Sequence, residues 1–328
     1  MLNIGKKDEE RDKQATNILN GSLDELNKLG KDEYYERNLK EVDLDTKDPL
    51  QQCIVWLMKN YYLEHAHKEE YLLDVGCGGG AFLFKMERLG YISIGLDMAI
   101  PKLYLCHTLK NLYKDKRVYF YPGIGERLPF CDKWFDVVNS IMVLEHIRGP
   151  VAVFADMIRV GKTVTGIIHQ DDQVNSPYHT WCMTDEKIVT LLETFKKDKW
   201  INEYKIEYLH EGHSKCCAFI IYSNPNLFNI CCEYINVQEI KSQPSGNKEW
   251  EDSYYEAILE YGKNIVEDPV LPIVVAVTED GYKLDGDGIH RMAALRRTNI
   301  EKVRVAIRRI PVHDKNGVYI KEHKWLQE

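Results

Sequence analysis

Short apolar runs alternate with helical patterns over the first two thirds of the chain. From Pro49, the segment "PLQQCIVWLMKNYYLEH" carries apolar residues at helical spacing and predicts a packed amphipathic helix. Beyond it come the apolar runs "YLLDVG", "YISIGLD", "VYFYPG", "FDVVNSIMV" and "TVTGIIH", separated by helical patterns such as "GAFLFKMERLG" and "VAVFADMIRVG". This alternation predicts an α/β fold with a parallel sheet covered by helices. Two later runs, "INEYKIEYL" and "CCAFIIYS", are predicted to close the sheet with antiparallel pairing.

The patterning divides the chain into four segments. Residues 1–48 interleave Lys, Asp and Glu and predict a charged, solvated helical arm. Residues 49–224 contain the alternating strands and helices. Residues 225–250 lose periodicity and collect Asn, Ser, Pro and Gly, which predicts a linker. Residues 251–328 then form a smaller unit of helix, strands, helix and strand.

Length and charge narrow the class of protein. With 328 residues and 44% hydrophobic content, the chain is long enough for about two globular domains. The net charge of −8, without a long basic tract, favours a small-molecule substrate over nucleic acid. No apolar run approaches the roughly 18 residues of a membrane span, and the N-terminus has no signal-peptide core. We therefore expect a cytoplasmic protein without membrane contact, whose oligomeric state stays open.

The nine cysteines do not form a spaced disulfide or metal framework. They are expected to be reduced thiols. The vicinal pairs Cys216-Cys217 and Cys231-Cys232, with His210 and His213 upstream, raise the alternative of a zinc site. No CxxC spacing is present, however, and neighbours on a strand point to opposite faces, so buried apolar roles are favoured. We expect no metal.

A glycine-rich turn follows the first predicted strand. In "YLLDVGCGGGAF", the glycines Gly76, Gly78, Gly79 and Gly80 let backbone N–H groups of a helix start approach a ligand closely. Asp97 ends the next strand, at about the 20-residue spacing expected of a carboxylate that accepts ribose hydroxyls. The pattern therefore predicts a site for a nucleoside-containing ligand.

The motifs around this turn distinguish between nucleotides. The spacing of Gly76, Gly78 and Ala81 also satisfies the pattern of nicotinamide and flavin proteins, so an NAD enzyme stays an alternative. The run "LLDVGCGGGAF" resembles motif I of class I S-adenosylmethionine-dependent methyltransferases, and "GLD", "GIGERLPFCDKWFDVV" and "VLEHI" resemble its later motifs in order. The resemblance implies a Rossmann-like, seven-stranded, mostly parallel sheet with helices on both faces, and S-adenosyl-L-methionine as cofactor.

The resemblance also implies roles for individual residues. Asp74 would interact with the amino end of the methionine moiety, Asp97 would bind the ribose, and Met98 would cover one adenine face. Relatives often have an Asp where this chain has Ile124, so backbone groups or Glu126 would have to contact the adenine amino group. The implied cofactor-binding residues are Asp74, Gly76, Cys77, Gly78, Asp97, Met98, Gly125, Glu126 and Ser140, with Asn139 beside Ser140 at the pocket edge.

The methyl acceptor is expected near two polar segments. Methyl transfer requires alignment of the acceptor, and it requires a base only when the acceptor holds a proton. By resemblance, Glu145 and His146 of "VLEHI" face the acceptor, as base or as substrate contacts, against the alternative of a structural role. The polar loop after the fifth strand supplies His169, His179 and Trp181 as candidate substrate-binding residues, or forms only a polar lid.

The C-terminal unit contains a second glycine-rich helix start. The run "DGDGIHRMAAL" places a positive helix end beside an arginine, which suits an anion. It resembles the ParB/sulfiredoxin-like fold, a small α+β domain, and the resemblance implies that Gly288, His290 and Arg291 bind phosphate of ATP, ADP or CTP. Glu279 would be the base if the unit were a kinase. Ile289 stands where sulfiredoxins carry their reactive cysteine, so sulfinic-acid repair is not expected.

Together these patterns predict an S-adenosylmethionine-dependent methyltransferase that acts on a small acceptor, phosphorylated or nucleotide-linked, and carries a C-terminal phosphate- or nucleotide-binding domain. One alternative is a bifunctional methyltransferase and small-molecule kinase. Another is a non-catalytic regulator that senses nucleotides.

Overall fold

The computed structural model describes most of the chain from residue 47 to residue 308. The described residues are 47–113, 117–126, 128–147, 149–170, 179, 183–211, 214–226, 230–278, 281–285 and 288–308. The predicted N-terminal arm therefore lies almost entirely outside them. The chain separates into two compact units, one of residues 1–128 and 135–224 and the other of residues 129–134 and 225–328.

The first unit is built on a seven-stranded sheet of order β3-β2-β1-β4-β5-β7-β6. The strands from β3 to β5 pair in parallel, while β7 pairs antiparallel with both β5 and β6. This confirms the predicted seven-stranded, mostly parallel sheet and its antiparallel closure. Its strands are β1 (Tyr71–Val75), β2 (Ile92–Asp97), β3 (Val118–Pro122), β4 (Phe135–Ile141), β5 (Gly161–Gln170), β6 (Ile201–Glu211) and β7 (Ser214–Ser223).

Among the described residues of the first unit there are five main helices, besides a short 3₁₀ turn (Leu144–His146). The first helix begins at Pro49. Asp48 is its N-cap, because its side chain accepts a 3.1 Å hydrogen bond from the Leu50 N–H. The helices are α1 (Pro49–Leu57), continued by a π-helical segment (Met58–Tyr62) and a last turn (Leu63–His65), then α2 (Ala81–Arg88), α3 (Ile100–Tyr113), α4 (Pro150–Val160) and α5 (Asp185–Lys197).

Two of the central strands of this sheet are fully buried, and the order of the strands reverses beside one of them. Every residue of β1 and β2 is buried, as expected of parallel strands covered on both faces, and this accounts for their continuous apolar runs. The strand order reverses direction between β1 and β4. In open α/β sheets, ligands bind in the crevice beyond the carboxyl ends of the strands at such a reversal. The turn after β1 and the segment after β4 therefore border the expected site.

The second unit contains a four-stranded sheet of order β10-β9-β11-β8. Its elements are β8 (Ile230–Asn236), α6 (Lys248–Tyr261), β9 (Val274–Thr278), β10 (Gly281–Leu284), α7 (Ile289–Arg296) and β11 (Lys302–Arg308). Strand β8 pairs antiparallel with β11 along its whole length, although residues 225–250 were predicted as a linker. The run "ICCEYIN" was misread because its two cysteines and its polar neighbours hide the alternation of a half-buried strand.

A short segment between β3 and β4 also belongs to the second unit. The predicted domain of residues 49–224 included residues 129–134, because the sequence runs through them without a break. The Cys131 N–H donates to the Pro269 carbonyl at 3.0 Å, and the carbonyl of the fully buried Trp134 accepts from the guanidinium of Arg304. Both contacts join residues that are far apart in the sequence, so the local pattern of apolar and polar residues does not predict them.

Among the residues that the structure describes, no helix is both long and apolar enough to cross a membrane.

Candidate active site

The glycine turn after β1 is tight and depends on positive backbone angles. Gly76, Gly78 and Gly80 have φ values of +78°, +52° and +76°, which side-chain-bearing residues rarely adopt. The N–H groups of Gly76 and Cys77 both donate to the carbonyl of Leu96 in β2, at 2.7 and 3.1 Å. These bonds fix the turn against the end of β2.

Asp97 connects the glycine turn to the end of β2. Its Oδ2 accepts from the Gly78 N–H at 2.8 Å, and its Oδ1 accepts from the Ala99 N–H at 2.7 Å. The side chain is only 8% exposed. Each carboxylate oxygen has a second lone pair, so the same group can still accept two neighbouring hydroxyls of a ligand. Asp97 therefore has both a structural role in the turn and the chemistry to bind a ribose.

Cys77 has a buried thiol. It lies beside the thiol of Cys106 in α3, and the hydrogen bond between the two thiols, together with burial, raises the pKa of Cys77 above its usual value. The thiol therefore stays protonated. Its contribution to a ligand site comes from its backbone rather than from a thiolate.

Asp74 is the first member of a buried polar network. It is 4% exposed, and its Oδ1 accepts from the side-chain amide of Asn139 in β4 at 2.7 Å. The Oδ1 of Asn139 in turn lies 3.1 Å from the Tyr62 hydroxyl and 3.0 Å from the Thr165 hydroxyl. Those two hydroxyls are 2.5 Å apart. The network holds Asp74 in one orientation at the carboxyl end of β1.

Burial raises the pKa of Asp74 to about 7, against its usual value of 3.8. The hydrogen bond from Asn139 lowers the pKa, and the negative charge of Asp97 raises it further. Asp74 is therefore partly protonated near neutral pH. A cationic group placed beside it would favour the carboxylate form, because an opposite charge offsets the cost of burying the ionised group.

This shift predicts how stability depends on pH. Between pH 3.8 and about 7 the folded chain retains a proton on Asp74 that the unfolded chain releases. Because the folded state binds more protons there, its stability falls as pH rises, by up to about 1.4 kcal/mol per pH unit from this group. In Asp74→Asn that contribution is absent, so urea unfolding between about pH 4.5 and 7 should show a flatter decline than in wild type. Parallel curves for the two proteins would contradict the assignment.

The predicted adenine side of the crevice is open. Met98 is 58% exposed after β2, and Ile124 and Glu126 are exposed in the turn after β3. Gly125 is buried, and a Cβ there would lie 3.2 Å from Val75. Exposed apolar side chains at the carboxyl end of a sheet are consistent with a face that a planar ring could cover.

Ser140 does not point into open space. Its hydroxyl donates to the carbonyl of Val75 at 3.1 Å, and the residue is fully buried. It ties β4 to the end of β1, immediately before the glycine turn. Its direct contact with a cofactor stays a prediction.

The candidate acceptor residues converge after β4 and β5. A 3₁₀ turn (Leu144–His146) presents Glu145 and His146, and the backbone N–H of His169 donates to Oε1 of Glu145 at 3.3 Å. The His146 and His179 rings are 4.9 Å apart between centroids, and those of His169 and His179 are 5.5 Å apart. The structure therefore brings together four of the five residues predicted for acceptor chemistry, and Trp181 lies outside the described residues.

At the second glycine-rich turn, the side chains that were predicted to bind phosphate form hydrogen bonds within the protein. Gly288, with φ of +121°, precedes α7, and His290 lies 2.7 Å from the hydroxyl of Ser245 through its Nδ1. Arg291 is 6% exposed and donates to the carbonyl of Leu271 at 2.5 Å. Both predicted phosphate ligands thus have hydrogen-bond partners within the unit. Glu279, the predicted kinase base, lies outside the described residues.

Sequence reasoning missed Tyr62 and Thr165, which complete the network around Asp74. Tyr62 ends the π-helical segment, whose extra residue per turn changes the direction of every later side chain. The helical spacing from Pro49 gave no sign of that insertion. Such segments occur often at functional sites, but they have no reliable sequence pattern.

Comparison with known proteins agrees with this geometry. Residues 73–164, from β1 into β5, match the family model of a methyltransferase domain. An uncharacterized methyltransferase of Schizosaccharomyces pombe is 34% identical over 113 residues, which are 31% of this chain and 40% of the relative. The mitochondrial ubiquinone biosynthesis O-methyltransferase of Candida albicans is 29% identical over 159 residues, or 45% of this chain and 47% of the relative.

A tRNA U34 carboxymethyltransferase of Tolumonas auensis is 42% identical over 89 residues, which are 26% of each chain. The chain thus spans less than half the length of each of these relatives. Residues 73–164 therefore resemble a methyltransferase domain, and the matches support the predicted class of enzyme, an S-adenosylmethionine-dependent methyltransferase.

Proposed function

We propose that the chain transfers a methyl group from S-adenosyl-L-methionine to a small acceptor. The observation that carries this proposal is the joining of the glycine turn to Asp97, with Asp74 buried beside it. Asp97 would accept the ribose hydroxyls, and Asp74 would bind the amino group of the methionine moiety. That ammonium would supply the positive charge that favours an ionised Asp74.

The acceptor is proposed to be a small molecule that is methylated on oxygen. The Candida albicans O-methyltransferase matches 45% of this chain. The tRNA enzyme matches a smaller share, and a net charge of −8 disfavours a polyanionic acceptor. In the reaction, a lone pair of the acceptor oxygen forms the new bond to the methyl carbon, and the carbon–sulfur bonding pair returns to sulfur. The acceptor proton passes to a base or to solvent.

Cofactor binding tests the proposal directly. A ligand that binds only the folded state raises its melting temperature. We expect S-adenosylmethionine and S-adenosylhomocysteine to stabilise the full-length protein, and NAD to leave its melting temperature unchanged. A shift with NAD and none with the adenosyl compounds would assign the glycine turn to the nicotinamide alternative.

We further propose that the second unit has a ParB/sulfiredoxin-like fold and binds a phosphate group at the start of α7. The supporting observations are the positive φ of Gly288 and the position of His290 in the first turn of the helix. The ligand of this unit would be a compound that carries a phosphate or a nucleotide. Arg291 would contribute by fixing the preceding loop, since its guanidinium donates to backbone carbonyls there.

Titration with ATP, ADP, CTP and inorganic phosphate tests this second proposal. Wild type should be stabilised by at least one of them, and His290→Ala should lose that stabilisation while keeping the response to S-adenosylhomocysteine. Transfer of phosphate from ATP to an added small molecule would instead favour the kinase alternative. No response to any of the four compounds would contradict phosphate binding by this unit.

A further inference from the structure

Two histidines and one glutamate in the first unit form a group that fits a metal ion. Glu145, His146 and His179 each offer a ligand atom, and these atoms all lie within 4.8 Å of one another. Around a tetrahedral ion with bonds of about 2.1 Å, neighbouring ligand atoms are about 3.4 Å apart. The three side chains therefore need only small rotations to reach a common ion.

The chemistry of the three groups selects the ion. Two imidazoles and one carboxylate suit zinc and the neighbouring divalent transition metals, whereas Mg²⁺ and Ca²⁺ prefer sites made of oxygen ligands. Three protein ligands also leave coordination positions open, as in catalytic rather than structural zinc sites.

Burial supports the same conclusion. Glu145 is 1% exposed, and an ionised carboxylate that is removed from water requires compensating charge or hydrogen bonds. The His169 N–H supplies one hydrogen bond to its Oε1. Because little water screens the buried Glu145, its attraction for a cation held between it and the two imidazoles is strong.

We propose that Glu145, His146 and His179 bind one divalent transition-metal ion of the zinc class on the acceptor side of the crevice. From the sequence we expected no metal, because His179 is far along the chain from the "LEH" turn. The open coordination positions would receive the acceptor oxygen, and the ion would lower the pKa of a bound hydroxyl. That role rests on the proposed function, whereas metal binding itself does not.

The test is a metal titration of the full-length protein after treatment with a chelator. Co²⁺ is the probe, because its visible absorption reports on its coordination without any enzymatic activity. We expect one Co²⁺ per chain, displaced by Zn²⁺, and affinity at least tenfold weaker in His146→Gln and in His179→Gln. The control is His67→Gln, since His67 is exposed and precedes β1, at the amino ends of the parallel strands, whereas the three ligands follow the carboxyl ends of β4 and β5.

Stabilisation by S-adenosylhomocysteine is measured on every sample, which shows that each variant is folded and tests the proposed function separately. Wild type that is stabilised by S-adenosylhomocysteine but binds no Co²⁺ stoichiometrically would overturn the metal site and leave the methyltransferase intact. Equal Co²⁺ affinity in wild type and in both ligand variants would overturn it as well. Weaker binding in the two variants, with His67→Gln unchanged, would establish the site.

Discussion

Gly76→Ala will lower the melting temperature of the first unit by about 5 to 10 °C and weaken binding of S-adenosylhomocysteine more than tenfold. Gly76 has φ of +78°, and a Cβ built on it would lie 2.4 Å from Cγ2 of Val143. The backbone strain costs about 1 kcal/mol and the overpacking about 1 to 3 kcal/mol more. In a domain of this size, each kcal/mol corresponds to about 2 to 4 °C.

The loss of affinity has a separate cause from the loss of stability. The Gly76 N–H donates to Leu96, and Gly78, two residues on, donates to Asp97. A displacement at Gly76 therefore moves the backbone groups that face the cofactor. Affinity is measured by calorimetry well below the melting temperature of the variant, so that unfolding does not contribute.

Gly149→Ala is the matched control for Gly76→Ala. Gly149 has φ of −125° before α4, and a Cβ there would meet nothing within 4 Å. This variant should keep the melting temperature and the cofactor affinity of wild type. If Gly76→Ala behaved like the control, the close approach of the turn to Val143 would not be a feature of the folded protein.

The fold of the first unit was largely predictable, because its signals are local. Short, mostly apolar runs of five or six residues, such as β1 and β2, that alternate with helical patterns are typical of buried parallel strands. Strand β8 was missed, because it pairs only with β11, far along the chain, and carries polar residues beside its cysteines. The insertion of residues 129–134 into the second unit was missed for the same reason.

The candidate site was predictable where it depends on backbone geometry. A glycine turn between a strand and a helix can be read from the sequence, and so can an acid at the end of the next strand. The grouping of Glu145 with His146 and His179 joins two segments that are far apart in the sequence. The bond between Tyr62 and Asn139 depends on one inserted residue in a helix. Neither contact produces a periodic pattern in the sequence from which it could be predicted.

Asp97→Ala will weaken binding of S-adenosylhomocysteine by about tenfold to a hundredfold, on the order of 1.5 to 3 kcal/mol. The variant loses the charge-assisted bonds to the ligand hydroxyls. It also leaves the N–H groups of Gly78 and Ala99 without their acceptor, so the glycine turn is no longer fixed to β2. Both effects lower affinity, and the second also lowers the melting temperature.

Asp97→Asn shows whether the loss of affinity in Asp97→Ala comes from the lost hydrogen bonds or only from the smaller side chain. Asparagine has the same shape, but its amide nitrogen is a donor and must face either the Gly78 or the Ala99 N–H, which are donors themselves. We therefore expect Asp97→Asn also to bind at least tenfold more weakly than wild type. Asp198→Ala, an exposed carboxylate after α5, is the control and should bind within about twofold of wild type. Wild-type affinity in Asp97→Asn would show that the carboxylate does not contact the cofactor, because a carboxylate that bonds two peptide donors and two ribose hydroxyls cannot be replaced by a group with half its acceptors.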